Sequence, residues 1–170
     1  MHPRALSDKQ LPWPALLAVR AAARAAGRVV VTTNGTFDLL HPGHLGSLHA
    51  ARALGDLLIV GLNSDASVRG YKGPSRPILT EVERATMLAG LECVDHVVVF
   101  DAPTPEEVLR KLRPDIHCKG AEYAPPHGRP VPEAATVLAG GGRMAYLPLL
   151  PGLSTTELLA RIRKLGGETA

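Results

Sequence analysis

The sequence predicts an α/β fold, in which helices cover both faces of an open, parallel, five-stranded sheet. From Arg28 onward, short apolar runs alternate with segments that carry helix start and stop signals, which is the pattern of a parallel sheet. The chain has 170 residues, of which 45% are hydrophobic. It can therefore bury the core of a single domain, and it is not expected to be disordered.

Five apolar runs have the length and composition of strands that are buried on both faces. They span residues 29–32, 57–62, 94–100, 116–119 and 144–147. Since a helix-length segment separates most consecutive runs, the connections are expected to be right-handed crossovers between parallel strands. The predicted architecture is therefore Rossmann-like, and such sheets bind ligands beyond the carboxyl ends of their strands.

Helix signals fill the intervals between the strands. Helices are predicted over 14–26, 43–54 and 132–139, and behind the caps Thr80, Thr104 and Ser154. Thr80 with Glu83 and Thr104 with Glu107 have the spacing of capping boxes. Residues 63–77 and 120–131 are rich in proline, glycine or polar residues and are predicted as loops. Residues 1–27 are predicted as a mostly helical N-terminal extension of the domain, without the uninterrupted apolar centre of a secretory signal.

Composition excludes several classes of protein. The net charge of +3 is too small to predict nucleic-acid binding, and aromatic residues, at 4%, are too few for a base-stacking platform. No apolar run reaches the roughly 18 residues that a membrane span needs. Cys93 and Cys118 cannot form a disulfide framework, which favours a cytoplasmic location. Together with His96 and His117 they could form a zinc site, but no Cys-x-x-Cys spacing supports it and strand positions are the favoured reading.

The loop after the first predicted strand carries the residues that point to chemistry. His41 and His44 stand three residues apart at the start of a helix that Pro42 and Gly43 open, and Gly35 allows close backbone approach to a ligand. Ring donors at the positive end of a helix form an anion site that suits the phosphates of a nucleoside triphosphate. The sequence contains no Walker-type lysine loop, no glycine triplet of the Rossmann dinucleotide-binding type and no Gly-x-Ser-x-Gly nucleophile motif.

These residues resemble the signature of the cytidylyltransferase-like nucleotidyltransferases, whose His-x-Gly-His motif matches 41–44 within 35–44. Three further segments resemble the same family in the same order: Lys-Gly-Pro-Ser-Arg-Pro at 72–77, Glu83-Arg84, and Ser-Thr-Thr at 154–156. The resemblance runs from about residue 28 to residue 165 and implies that 28–170 is a nucleotidyltransferase domain.

Within the family, residues 63–68, 72–77 and 119–123 resemble the D-glycero-D-manno-heptose 1-phosphate adenylyltransferase domain of ADP-heptose synthesis. Thr36 stands where that branch usually has cysteine, and Ala121-Glu122 stands where it usually has Gly-Asp. Leu-Leu-Pro-Gly at 149–152 replaces the Arg-Thr-x-Gly box of glycerol-3-phosphate cytidylyltransferases, which disfavours CTP. A cytidylyl- or guanylyltransferase acting on another phosphorylated sugar or polyol, a non-catalytic nucleotide-binding module, and an aminoacyl-tRNA synthetase fragment are the alternatives.

The resemblance also implies partners and roles. It implies ATP and a sugar 1-phosphate as substrates, Mg²⁺ as cofactor, with Asp38 as an indirect ligand through water, and a homodimer. The catalytic residues that it implies are His41, His44, Lys72 and Arg84. The nucleotide-binding residues are Asn34, Gly35, Thr36, Phe37, Asp38, Gly43, Lys119, Gly120, Ser154, Thr155 and Thr156. The sugar-side residues are Asn63, Asp65, Arg76, Glu122 and Tyr123.

Overall fold

A computed structural model of the chain describes residues 4–148 and 152–166. Its sheet contains five strands, all parallel, as predicted. They are β1 (Val30–Gly35), β2 (Leu57–Asn63), β3 (His96–Phe100), β4 (Ile116–Gly120) and β5 (Arg143–Leu147). The strand order is β3-β2-β1-β4-β5, so the order along the sheet reverses between β1 and β4. The crevice between the carboxyl ends of these two strands is the expected place for a ligand.

The helices are α1 (Trp13–Ala25), α2 (Pro42–Arg52), α3 (Asp65–Lys72), α4 (Glu81–Ala89), α5 (Glu106–Leu112), α6 (Ala134–Ala139) and α7 (Thr155–Gly166). Short 3-10 turns occupy Leu6–Lys9 and Ala121–Tyr123. None of these described helices is long and apolar enough to cross a membrane. The predicted capping box of α4 is present, with both the Thr80 and the Glu83 side chains accepting backbone hydrogen bonds.

Two predictions of local structure were wrong. The segment 63–77 is not a continuous loop, because α3 begins behind Ser64, whose side chain accepts a hydrogen bond from the backbone of Ser67. The predicted box of Thr104 with Glu107 is not formed, since α5 begins after Pro105 and has no side-chain cap.

The core lies on both faces of the sheet because alternate residues of a strand point to opposite sides. On one face Leu58 and Val60 of β2 pack with α2 and α4 residues such as Leu48. On the other face Ile59 packs with Leu16 of α1. Every residue of β2 is buried, as the continuous apolar run predicted.

The predicted N-terminal extension packs against the sheet. Besides Leu16, which is fully buried, Arg20 of α1 is buried and its guanidinium donates to the Leu112 carbonyl at 2.9 Å and to Asp115 at 3.1 Å. Gln10 forms an isolated parallel bridge with Val97 of β3. The helical prediction for this segment is confirmed by α1. The division of the chain at residue 27 stays a prediction.

Candidate active site

A cleft of about 720 Å³ opens at the carboxyl ends of β1 and β4, where the strand order reverses. The start of α2, the end of α3, the segment after β4 and the start of α7 all contribute to its wall. Most of the predicted site residues line it: Asn34, Gly35, Thr36, Phe37, Asp38, His41, Gly43, His44, Lys72, Lys119, Gly120, Glu122, Tyr123, Ser154, Thr155 and Thr156. The segments that the sequence motifs identified separately therefore meet in one cleft.

The two histidines form a stacked pair at the head of α2. His41 is the N-cap: its carbonyl accepts the backbone N–H of His44 at 2.9 Å, and its ring Nδ1 accepts the same N–H at 3.4 Å. The two rings lie 3.8 Å apart at an angle of 25°. An Nδ1 that accepts a hydrogen bond carries no proton, so the neutral His41 ring holds its proton on Nε2.

Burial keeps both imidazoles neutral at pH 7. It lowers the pKa of His44 to about 4, with further lowering by the neighbouring His41 and Lys72. Burial also lowers the pKa of His41, against which the Glu157 carboxylate acts. The pKa of Lys72 is lowered by burial and by Arg76, while Asp38 opposes the shift. An anion that enters the cleft would favour the protonated forms of His41, His44 and Lys72, and would therefore oppose the effect of burial on their pKa values.

Gly43 is required by the close packing of this pair. A Cβ built on Gly43 would lie 3.0 Å from both Cε1 and Nδ1 of the His41 ring and 3.3 Å from the Leu153 side chain. Any larger residue would push the His41 ring away from its position over His44 or displace the segment before α7. The glycine of the His-x-Gly-His motif thus sets the spacing between the ring and the start of α7.

Asp38 lies at the edge of the cleft but its carboxylate faces the protein. One oxygen accepts the backbone N–H groups of Ile78 and Leu79, and the other accepts Nε of Arg76 at 2.6 Å. The side chain is only 1% exposed. Both oxygens thus hold donors of the segment before α4, and the role of Asp38 as an indirect magnesium ligand stays a prediction.

Arg84 lies beneath the cleft and does not line it, in contrast to its predicted role at the leaving group. Its side chain is fully buried, and the guanidinium donates to the Thr36 carbonyl at 2.6 Å, to the Leu79 carbonyl at 3.0 Å and to Asp65 at 2.8 Å. This network fixes the β1 loop to the start of α3. Arg84 is thus a positioning residue in this structure, because its charge is satisfied within the protein.

The same network removes other predicted residues from the sugar side. Asp65 pairs with Arg84, and Arg76 pairs with Asp38. Asn63 is buried and its amide donates to the Ser67 hydroxyl at 3.0 Å. None of the three lines the cleft. Their polar groups connect α3 and the segment before α4 to the sheet. This structural role explains why the three residues are polar although they lie outside the cleft.

The wall after β4 is built on a buried ion pair. Lys119 donates to Glu133 at 2.7 Å and to the Asn34 side chain at 3.2 Å, and its ammonium lies 5.0 Å from the centroid of the Tyr123 ring. Glu133 is only 3% exposed. Sequence reasoning missed Glu133, since a single acidic residue in a proline-rich segment gives no local signal of burial.

Seven further residues that line the cleft were not predicted as site residues: Thr33, Ser47, Cys118, Arg129, Gly152, Leu153 and Glu157. Glu157 contacts the helix cap Ser154, whose hydroxyl donates to the carboxylate at 2.9 Å and accepts the Glu157 N–H at 3.1 Å. The Ser-x-x-Glu spacing at 154–157 was a readable signal for this contact. The predicted helix behind Ser154 is confirmed, whereas 149–151 of the segment before it lie outside the described residues.

The alternative zinc site is not assembled. Within residues 4–148 and 152–166 no three histidine, cysteine, aspartate or glutamate side chains group closely enough to hold a metal ion. β1 and β2 separate His96 of β3 from His117 and Cys118 of β4. The His117 ring is fully buried with Nδ1 at 2.8 Å from the Thr32 hydroxyl, and burial lowers its pKa to about 3. Both cysteines are buried free thiols, as expected for strand and core positions.

Comparison with known proteins agrees with the geometry of the cleft. The sequence model described as "Cytidylyltransferase-like" matches residues 32–161, which include the histidine pair and the Ser-Thr-Thr segment. The chain belongs to the cytidylyltransferase-like family. The family resemblance that the motifs predicted is thereby confirmed, and the five-stranded parallel sheet is its framework here.

Relatives of this family member are similar over most of its length. It is 53% identical over 139 residues to "Bifunctional protein HldE" of Syntrophotalea carbinolica, an alignment that covers 82% of this chain and 28% of that protein. It is 51% identical over 144 residues to the protein of the same name from Streptomyces coelicolor, covering 85% of this chain and 30% of that protein. The chain thus spans about 30% of the length of these curated relatives.

A solved structure supports the fold. The crystal structure of the lipopolysaccharide core biosynthesis protein from Thermoplasma volcanium GSS1 superimposes with a TM-score of 0.59 and 24% sequence identity. The match covers 73% of this chain and 98% of that one. At this level of identity the likeness is one of architecture.

Proposed function

We propose that this chain is a nucleotidyltransferase that transfers AMP from ATP to a sugar 1-phosphate, most specifically D-glycero-D-manno-heptose 1-phosphate, and releases pyrophosphate. One observation carries the proposal: the stacked His41 and His44, Lys72 and the Ser154 end of α7 all line one cleft. The family membership and the relatives named HldE support the reaction class and the choice of substrate.

The reaction needs positioning more than proton transfer. An oxygen of the sugar phosphate, which is ionised at pH 7, forms a bond to the α-phosphorus of the nucleotide as the bond from that phosphorus to the bridging oxygen breaks. Pyrophosphate leaves with the electron pair of that bond. Because no proton has to be removed from the attacking oxygen, catalysis comes from alignment of the two phosphates and stabilisation of their charge.

The nucleotide phosphates are assigned to the end of the cleft where α2 and α7 begin. His41 carries its proton on Nε2 and can donate it to a phosphate oxygen, while the N-terminus of α2 adds its dipole. An entering phosphate favours the charged form of His44 and of Lys72, whose pKa values burial lowers in the empty cleft. The backbone N–H groups and hydroxyls of Ser154, Thr155 and Thr156 are assigned to the leaving pyrophosphate.

Magnesium is proposed to enter as part of the nucleotide complex. Among the described residues no three histidine, cysteine, aspartate or glutamate side chains group closely enough to hold a metal ion, and both Asp38 oxygens accept protein donors. We therefore assign Mg²⁺ to the substrate MgATP, and no step is assigned to a metal bound by the protein alone.

The sugar is assigned to the wall formed by Glu122 and Tyr123. A carboxylate suits sugar hydroxyls as an acceptor, and an aromatic ring suits the apolar face of a sugar. The Glu122 carboxylate occupies space that the absence of a side chain on Gly120 leaves open, since a Cβ there would overlap its oxygens. Lys119 supports this wall through Glu133 and through the Tyr123 ring.

Pyrophosphate release tests the proposal. The purified chain is incubated with each of ATP, CTP, GTP and UTP against a panel of sugar 1-phosphates and polyol phosphates. Rapid release with ATP and heptose 1-phosphate is expected. Faster turnover with CTP or GTP, or with another acceptor, would reassign the substrates, and tight ATP binding without product on any acceptor would reduce the chain to a nucleotide-binding module.

We also propose a homodimer in the cytoplasm. Three large apolar side chains near one another in sequence are exposed on α3, on α4 and between them: Tyr71 by 50%, Ile78 by 47% and Val82 by 68%. Apolar groups exposed in this number favour a covering partner, and a second copy presents the same residues. The free thiols and the phosphorylated substrates support the location. Light scattering of the purified chain measures the oligomeric state.

A further inference from the structure

Two cationic side chains, Lys119 and Arg129, lie on the wall of the cleft that follows β4, and they differ in whether their charge is paired. Lys119 is paired with the buried Glu133 at 2.7 Å, so its charge is balanced within the protein. Arg129 also lines the cleft, but among residues 4–148 and 152–166 its side chain makes no ion pair and no hydrogen bond. On this wall, therefore, Arg129 holds the positive charge that is available to a ligand.

The loop that carries Arg129 has a defined backbone. The N–H of Arg129 donates to the Glu122 carbonyl at 2.8 Å, and the N–H of Gly128 donates to the Ala124 carbonyl at 2.8 Å. A Cβ on Gly128 would lie 2.3 Å from the Tyr123 carbonyl carbon and 2.4 Å from the Ala124 oxygen. The chain thus folds back against the 3-10 turn Ala121–Tyr123, and Arg129 is presented beside the two residues assigned to the sugar.

We propose that Arg129 binds the phosphate of the acceptor and selects acceptors that carry one. The proposal rests on the proposed function, because it assigns the acceptor phosphate within the same cleft. A guanidinium offers parallel N–H donors that match two phosphate oxygens. His41, His44 and Lys72 belong to the part of the cleft formed by the start of α2 and the end of α3, and are assigned to the nucleotide.

The arrangement gives each reacting phosphate its own counter-charge. Without a cation on the acceptor wall, a sugar phosphate would approach the nucleotide phosphates against their repulsion. Arg129 brings the acceptor to this wall while Glu122 and Tyr123 contact its sugar. A neutral sugar lacks this contact and is expected to bind weakly even when its hydroxyl pattern is correct.

Steady-state kinetics of Arg129→Gln test the assignment. The KM for the sugar 1-phosphate should rise about tenfold or more, while the KM for ATP stays within about twofold. Arg129→Lys should restore part of the loss, since it keeps the charge but loses the paired donors. His127→Ala serves as the control, because His127 is an exposed residue of the same loop that does not line the cleft.

Three kinetic results would overturn the proposal. An increase in the KM for ATP that equals or exceeds the increase for the acceptor would assign Arg129 to the nucleotide. Unchanged constants for both substrates would leave it without a role in binding. A rise in the acceptor KM of the same size in His127→Ala would show that any disturbance of the loop has this effect, and would also overturn the assignment.

Failure of the proposed function is distinguished by a binding measurement that needs no turnover. If the wild-type chain releases no pyrophosphate with any acceptor, the proposed function fails. Calorimetric titration of heptose 1-phosphate into the wild-type chain and into Arg129→Gln then tests the residue alone. Weaker binding to the variant supports the assignment, whereas equal affinity, or no binding to either protein, contradicts it.

Discussion

The two ends of the cleft are built in different ways. At the nucleotide end, His41 and His44 stack three residues apart on one helix, and burial holds them neutral. At the acceptor end, a charged pair, Lys119 with Glu133, lies buried behind a proline-rich loop. The first arrangement depends on contacts within a few residues, and the second on contacts between β4 and the segment before α6.

This difference assigns different functions to the charges of the two ends. A phosphate would favour the charged forms of the neutral groups at the nucleotide end, so the proposed function assigns them to binding and catalysis. The ions of the buried pair are already balanced, so they stabilise the wall and leave recognition to Arg129, Glu122 and Tyr123. Substitutions at the nucleotide end should therefore reduce turnover, and substitutions in the buried pair should reduce stability.

The largest effect is expected for His44→Ala. Removal of a donor aimed at the reacting phosphates should lower kcat about 100- to 1,000-fold, while the fold stays intact. His49→Ala is the matched control, because His49 is an exposed histidine of the same helix, remote from the cleft lining. Turnover by pyrophosphate release and thermal unfolding are measured for both. Wild-type turnover of His44→Ala would remove the histidine pair from the mechanism.

The next largest effect is expected for Glu133→Gln at the acceptor end. Removal of one partner leaves the Lys119 ammonium buried without a counter-charge and should lower the free energy of unfolding by about 3 kcal/mol. Urea unfolding measures the change. Glu107→Gln is the control, since its pair with Lys111 is exposed and should contribute little to the free energy of unfolding. Equal losses in the two variants would contradict a special role for the buried pair.

The contrast between the ends also explains what the sequence could predict. The histidine pair, the helix that it opens, the capping box at Thr80 and the cap at Ser154 are local patterns, and the structure contains all of them. Strand β2 was predictable for a similar reason, since it is buried along its whole length and its sequence is an apolar run. Such features depend on the spacing of residues along the chain, and the sequence gives this spacing directly.

Long-range ion pairs were not predictable. Arg84 was expected at the cleft, yet its guanidinium donates hydrogen bonds to Thr36, Leu79 and Asp65. The sequence around Arg84 does not indicate that these three residues are its partners. The same holds for Asp38 with Arg76 and for Lys119 with Glu133. A motif indicates which charged residues matter, but their burial and partners depend on how distant segments pack.

A smaller effect is expected from pH through His117, which lies in β4 behind the acceptor wall. Its pKa is lowered to about 3 in the folded protein, so below about pH 6.5 the unfolded chain takes up a proton that the folded chain does not. The free energy of unfolding should fall by about 2 kcal/mol from this residue between pH 6.5 and pH 5. Urea unfolding at the two pH values, in wild type and in His117→Asn, measures the contribution. An equally steep pH dependence in the variant would rule out His117 as its source.

The smallest effect is expected for Glu157→Gln, which tests whether the nucleotide end binds phosphate at the start of α7. The carboxylate lines the cleft, accepts the Ser154 hydroxyl and raises the pKa of His41 against the effect of burial. The variant keeps an oxygen for Ser154 but removes the negative charge, so MgATP should bind about twofold to fivefold more tightly, and the pKa of His41 should fall further. Calorimetry measures the affinity and NMR titration measures the histidine. Glu107→Gln, which removes an exposed carboxylate outside this cleft, should change neither quantity. Weaker MgATP binding by Glu157→Gln would instead place the carboxylate among the groups that hold the nucleotide complex, through its magnesium ion.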